Sequence, residues 1–196
     1  MKKEFPIAAW LAPLPGAVAT WLGLSARGEL AVLDCRYGGV SQEEVLKRVR
    51  ASASLKSALG VAVTSLNDPL LDALRPVARE KEASIVVVVP ADEPVEKTEG
   101  VRWWAQIHND QLPENDAIEA LVLAGHEGGG QVAESTSFML LQKLRKKTDR
   151  PLWVRGGVGP AAASACAAGD ASGVFVDDGL LSLIHISEPT RPLYIS

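Results

Sequence analysis

The most constraining feature of this chain is a pair of uninterrupted apolar runs, Ile85-Val-Val-Val-Val89 and Leu121-Val-Leu123. They are too short for buried helices, and every residue of the first is β-branched. A half-exposed strand alternates apolar and polar residues, whereas a strand covered on both faces reads as an unbroken apolar run. A parallel sheet with helices packed on it is the expected setting. Similar β-rich runs recur at 6–11, 30–35, 60–65, 84–89, 101–107, 120–124, 152–155 and 172–176. Helix signals fall between them. Ser41-Gln-Glu-Glu44 reads as a capping box, with Val45 and Val49 following at helical spacing. Asp68-Pro69 reads as an N-cap followed by a first-turn proline, with Leu70, Leu74 and Ala78 on one face. Pro76 is expected to kink or split that helix. Residues 134–147 carry the stripe Phe138, Leu141 and Leu144. Pro160 opens an alanine-rich helix over 161–168, which Gly169 is expected to close in the left-handed conformation. The segment 90–100 is rich in Pro and Glu and predicts no proper helix.

Eight such runs alternating with helical stretches predict an α/β fold, a TIM (β/α)8 barrel. Such barrels usually need ~250 residues and at least ~200. A barrel domain over 1–180 is therefore expected to be incomplete, truncated after its eighth strand and without its last helix. The composition, 47% hydrophobic and 22% charged, is ordinary for a globular domain. No uncharged apolar run approaches the ~20 residues of a membrane-spanning helix. A net charge of −4 gives no reason to expect a nucleic-acid partner. The basic cluster Lys143, Arg145, Lys146, Lys147 and Arg150 reads as a solvated helix face and C-terminal turn. Cys35 and Cys166 form neither a disulfide framework nor a metal motif, and both read as packing thiols. No signal-peptide pattern follows the basic N-terminus, so a cytoplasmic location is expected.

From Leu181 the text changes character. Leu181-Ser-Leu-Ile-His-Ile-Ser-Glu-Pro-Thr-Arg191 has no helical period, and Pro189 and Pro192 oppose a helix. This segment resembles a translated sequencing adapter, so 181–196 is expected to be non-native and His185 to have no chemical role. Glu188 and Arg191 remove one charge of each sign, which leaves the −4 unchanged.

In a parallel barrel the site lies at the C-terminal ends of the strands. Three of these ends stand out: Gly125-His-Glu-Gly-Gly-Gly-Gln131 after the sixth run, Arg155-Gly-Gly-Val-Gly159 after the seventh and Asp177-Asp-Gly179 after the eighth. Consecutive glycines permit unusual backbone angles and close approach of a ligand to main-chain N–H groups. Glycines leading into a helix N-terminus suit a phosphate. His126 is the acid/base candidate beside the triple glycine, and Glu127 is suited to orienting that loop through main-chain N–H groups. Gln106 and His108 end the fifth run, where they can line a pocket.

These loops, with Ser137-Phe-Met-Leu-Leu141 and Pro151-Leu-Trp-Val-Arg155, resemble the nitronate monooxygenase family. That family consists of flavin-mononucleotide (FMN) barrels and includes related enoyl reductases. The form most similar stands at the N-terminus of polyketide and polyunsaturated fatty-acid synthases. The likeness is good over residues 120–180; before that it is topological, apart from 13–34. It implies FMN as cofactor, with Gly156 and Gly157 at the flavin phosphate and Gly128, Gly129 and Gly130 passing the ring. Asp177 and Gly179 would close the cofactor site, which would hold no metal. The implied partners are a small-molecule or acyl-type substrate and other synthase domains. Two positions depart from the family pattern. Gln131 stands where the monooxygenases carry their basic histidine, and glutamine cannot take a proton near neutral pH. Asp177 and Asp178 stand where active members have Gly-Thr, and carboxylates repel a phosphate unless they turn away or bind a cation.

Two other readings stay open. The acids at the eighth strand and the missing base suit a barrel that is catalytically inactive and serves as a structural or docking module. Alternatively, Gly157-Val-Gly-Pro-Ala-Ala162, with Asp177 further on, fits the dinucleotide fingerprint of a Rossmann-type NAD(P) domain.

Overall fold

The computed structural model describes residues 5–14, 16–39, 41–52, 55–128 and 133–177. Its strands are β1 (Ile7–Leu11), β2 (Ala31–Asp34), β3 (Leu59–Ala62), β4 (Ile85–Pro90), β5 (Val101–Ile107), β6 (Ile118–Ala124), β7 (Leu152–Arg155) and β8 (Gly173–Asp177). All pair in parallel in sequence order. β8 returns to β1 in the register Ile7↔Val174 to Trp10↔Asp177, so the sheet closes into a barrel. Closure excludes an open Rossmann sheet: the glycine fingerprint after β7 belongs to an ordinary barrel unit.

Helix α1 (Ala17–Arg27) follows β1, α2 (Gln42–Ala51) follows β2 and α3 (Pro69–Glu80) follows β3. Helix α4 (Ser137–Leu144) follows β6 and α5 (Pro160–Ala168) follows β7. The β4–β5 and β5–β6 connections contain no helix. No helix among the described residues is long and apolar enough to cross a membrane.

The period-two pleat sorts each strand into two layers. On β4, Ile85, Val87 and Val89 face outward to the helix layer, while Val86 and Val88 face the barrel interior. The interior is filled by Trp10, Trp104, Trp153 and Phe175, with ring centroids 5.2–6.3 Å apart. Small inward residues make room for these rings. A Cβ on Gly173 would lie 2.7 Å from Trp153 Cε3, so only glycine fits there.

Local signals are met with some differences. Ser41 Oγ accepts from Glu44 N at 3.1 Å, but the Glu44 carboxylate pairs with Arg48 instead of reaching back. Asp68 caps α3 through Leu70 N at 2.9 Å. Pro76 does not split α3, because Leu74, Val77 and Ala78 around it are buried and hold the turn in place. Gly169 is not left-handed: its φ is −88°, and the positive φ falls on Asp170 at 60°. The Gly169 N–H still reaches the last-turn carbonyls, so the reversal comes one residue later.

Candidate functional site

Counting inward positions up each strand gives the last one at the C-terminal mouth. On β2, β5, β7 and β8 it is polar: Asp34, Gln106, Arg155 and Asp177 respectively. The pleat therefore gathers four polar side chains over Trp10. Arg36, two residues beyond Asp34, folds back onto them. Its guanidinium grips Asp34 with Nε to Oδ1 at 2.8 Å and Nη2 to Oδ2 at 2.6 Å. Trp10 Nε1 donates to Asp34 Oδ2 at 3.0 Å. Arg155 approaches the same Oδ2 at 3.9 Å, and its Nε lies 3.5 Å from Asp177 Oδ1. The Arg155 guanidinium also rests on the Trp10 ring, 4.1 Å from its centroid. The Asp34, Arg36 and Arg155 side chains are at most 10% exposed. Burial alone would raise the pKa of Asp34; the hydrogen bond and charge of Arg36, with the Trp10 donor, reverse this and hold it below the usual carboxylate range.

The network continues to β5. Arg36 Nη1 donates to Gln106 Oε1 at 2.9 Å. Gln106 Nε2 lies 2.9 Å from His108 Nε2, and His108 Nδ1 lies 3.2 Å from the Ala124 carbonyl. Burial, then the charges of Arg36 and Arg155, hold His108 below the usual imidazole range, against the pull of the Ala124 bond. These residues form one wall of a cleft of about 470 Å³ at the mouth, lined also by Tyr37, Thr64, Asp92 and Asn109.

The glycine loops lie beside this wall. Glu127 Oε1 accepts from Ser137 N at 2.8 Å and lies 2.7 Å from Ser137 Oγ, so it anchors the start of α4. Burial opposes ionisation of Glu127, but the Ser137 bonds, with a contribution from His126, hold its pKa below the usual range. Ser137 Oγ also accepts from Gly125 N at 3.1 Å and lies 2.8 Å from the Arg155 carbonyl, which ties the β6 loop to the end of β7. His126 is exposed, with Nδ1 3.7 Å from Glu127 Oε2. Gly156 has φ +96°, and a Cβ there would lie 2.7 Å from Gly128 N and Cα. The two loops thus meet backbone to backbone. At Gly157, with φ +61°, a Cβ would lie 3.2 Å from Glu127 Cγ. Gly159 precedes α5 in open space, and no side chain caps that helix. Gly129, Gly130, Gln131, Asp178 and Gly179 lie outside the described residues.

No family model and no curated protein matches the chain. Solved structures do. A FabK mutant from Thermotoga maritima superposes with a TM-score of 0.65 at 23% identity, over 88% of this chain and 60% of that one. FabK itself from the same organism gives 0.61 at 22% identity, over 88% and 57%. The tryptophan synthase A-subunit of Pyrococcus furiosus gives 0.61 at 17% identity, over 92% and 90%. The shared property is the barrel. This chain spans about 60% of the length of the FabK structures.

The arrangement offers two places for a phosphate-bearing planar cofactor. One is the N-terminus of α5, where Ala161 and Ala162 donate to no backbone acceptor among the described residues. The other is the cleft, whose polar wall and exposed Tyr37 ring suit a flat heterocycle. Asp177 is turned to Arg155, which offsets the charge that would repel a phosphate. The start of α5 therefore suits a phosphate, and the cleft suits a flat ring. Burial, with Asp68 and Asp34, pushes the Cys35 thiol up to about 12, which disfavours its reactive thiolate form.

The sequence signalled Gln106 and His108 by their place at a strand end. It did not single out Arg36, and Arg155 was legible only as the residue before two glycines. The inward parity of Asp34, Gln106, Arg155 and Asp177 is the signal that finds the group.

Proposed function

We propose that this chain is an FMN-binding barrel of the oxidoreductase type, related to nitronate monooxygenases and acting on a small-molecule or acyl-type substrate as a module of a multidomain synthase. One observation carries the cofactor assignment: α5 begins uncapped at the C-terminal mouth, directly after the glycine turn of β7. A helix start with free N–H groups attracts a phosphate through its partial positive charge. The FabK likeness and the loop motifs support the same reading. Bound flavin supplies hydride and electron transfer. In this reading the backbone at Gly156, Gly157 and the start of α5 holds the phosphate, and Gly128, Gly129 and Gly130 pass the ring. Asp177 and Gly179 close the site in the same reading. In this reading His126 moves the proton and Gln131 supplies a neutral hydrogen-bonding group.

The visible spectrum and an FMN titration test this. Flavin absorption, or quenching of added FMN fluorescence, is expected. Gly159→Asp sharpens the test: its φ of −91° and ψ of −178° suit a capping aspartate, and its Cβ meets nothing. The cap should stabilise the fold by a few tenths of a kcal/mol, about the usual gain over glycine. It should also weaken FMN binding about tenfold by placing a carboxylate at the phosphate. A protein that takes up no FMN overturns the proposal.

A second reading has its own observation. Asp34, Arg36, Arg155 and Asp177 already pair with one another over Trp10, as in a barrel whose mouth serves structure. A docking module of this kind stays colourless in the same experiment.

A further inference from the structure

We propose that the cleft between the ends of β2 and β5 is a binding site for a ligand oxygen that accepts hydrogen bonds, a carboxylate or carbonyl, and that Gln106 imposes this preference. Two groups of fixed polarity flank the Gln106–His108 pair. A guanidinium only donates, and a backbone carbonyl only accepts. Arg36 Nη1 stands 2.9 Å from the Gln106 side chain, so the amide turns its oxygen to Arg36 and its nitrogen to His108. At the other end His108 Nδ1 faces the Ala124 carbonyl at 3.2 Å, so Nδ1 carries the proton. His108 Nε2 is then a bare lone pair accepting from Gln106. The two ends agree on one arrangement: neutral imidazole, proton on Nδ1, both ring nitrogens in use.

A protonated His108 would set an N–H against the Gln106 N–H. It would also add a cation near Arg36 from the β2 end and Arg155 from β7. The acids in reach do not favour it. Asp34 is gripped by Arg36, and Asp92 stands exposed on the β4–β5 connection that lines the far side of the cleft. His108 therefore spends its valences holding Gln106. The wall presents donors: the second Gln106 amide N–H, and one N–H on each terminal nitrogen of Arg36 beyond those given to Asp34 and Gln106. The ligand group that fits is an acceptor oxygen. This goes beyond the flavin reading and does not require it, since donors and cleft are both supplied by the chain.

Nitrogen-15 NMR of the protein tests the arrangement directly. His108 should show the Nδ1–H tautomer near neutral pH. Acetate and acetamide, titrated separately at constant ionic strength, are the acceptor probes, and methylammonium is the donor-only control. Either acceptor should shift the Gln106 amide and Arg36 Nε signals to saturation, and the stronger of the two says whether the oxygen is charged. Methylammonium should not. Gln106→Leu should weaken the effective probe about fivefold, the loss of one hydrogen bond. Gln106→Glu, which keeps the shape, should draw a proton onto His108 Nε2 and raise its titration above the usual imidazole value. An Nε2–H tautomer in the unaltered protein, preferential binding of methylammonium, no saturable response to either acceptor, or an unchanged His108 in folded Gln106→Glu each overturns the proposal.

Discussion

At the scale of the residue, Asp34 is the pivot of the mouth. It is the buried counter-charge for Arg36 and lies within reach of Arg155. Taking one partner out of a buried ion pair leaves an uncompensated charge and costs about 3–5 kcal/mol. Asp34→Asn should therefore lower the unfolding free energy by roughly that amount in urea titration, although the two side chains have the same size. Gly156 is the second sensitive point. Gly156→Ala meets both a φ of +96° and the Gly128 backbone at 2.7 Å, so a loss of about 2 kcal/mol or more is expected in the same measurement. Cys35 should resist alkylation. With its thiol pushed up to about 12, the folded protein should react with iodoacetamide at pH 8 far more slowly than the unfolded chain does.

At the scale of the element, the β5–β6 connection has no helix to order it, and the turn after α4 takes that part. Lys147 Nζ, just past α4, reaches Asp110 Oδ2 at 2.8 Å and the Asp110 carbonyl at 2.9 Å. Arg150 donates to the carbonyls of Pro113 at 2.9 Å and Asn115 at 3.1 Å. The basic cluster, expected to be a solvated face, is thus in part a clasp on the β5–β6 loop that walls the cleft. Arg150→Ala should speed amide exchange across 108–117 while leaving exchange in α1–α3 unchanged. The strands and most helix starts were legible in the sequence because apolar runs and caps are local signals. The clasp was not: Lys147 and Asp110 are far apart in sequence, and only the folded chain brings them together. The same holds at the mouth. Composition marks Arg36, Arg155 and Asp177 as surface charges, and burial makes sense of them only once the barrel closes.

At the scale of the whole molecule, several groups pull the acid stability in one direction. His108, Glu127 and Asp34 all titrate below their ordinary values in the fold. Each therefore binds protons more readily when unfolded, so stability rises with pH through the acid range. The His108 contribution is complete above about 6.5, and those of Glu127 and Asp34 above about 4.5. Each is lost as pH falls below that point. Melting temperature should fall first near pH 6 and again, more steeply, below pH 4.5; His108→Gln should remove the first step alone. The aromatic filling of the barrel has a different consequence. Three of the five tryptophans, Trp10, Trp104 and Trp153, share one packed interior, and Trp10 lies under the Arg155 guanidinium. That stack is an optical gauge built into the chain: whatever draws Arg155 off Trp10 alters the field on a single indole, so its emission colour reports from within whether the mouth is filled.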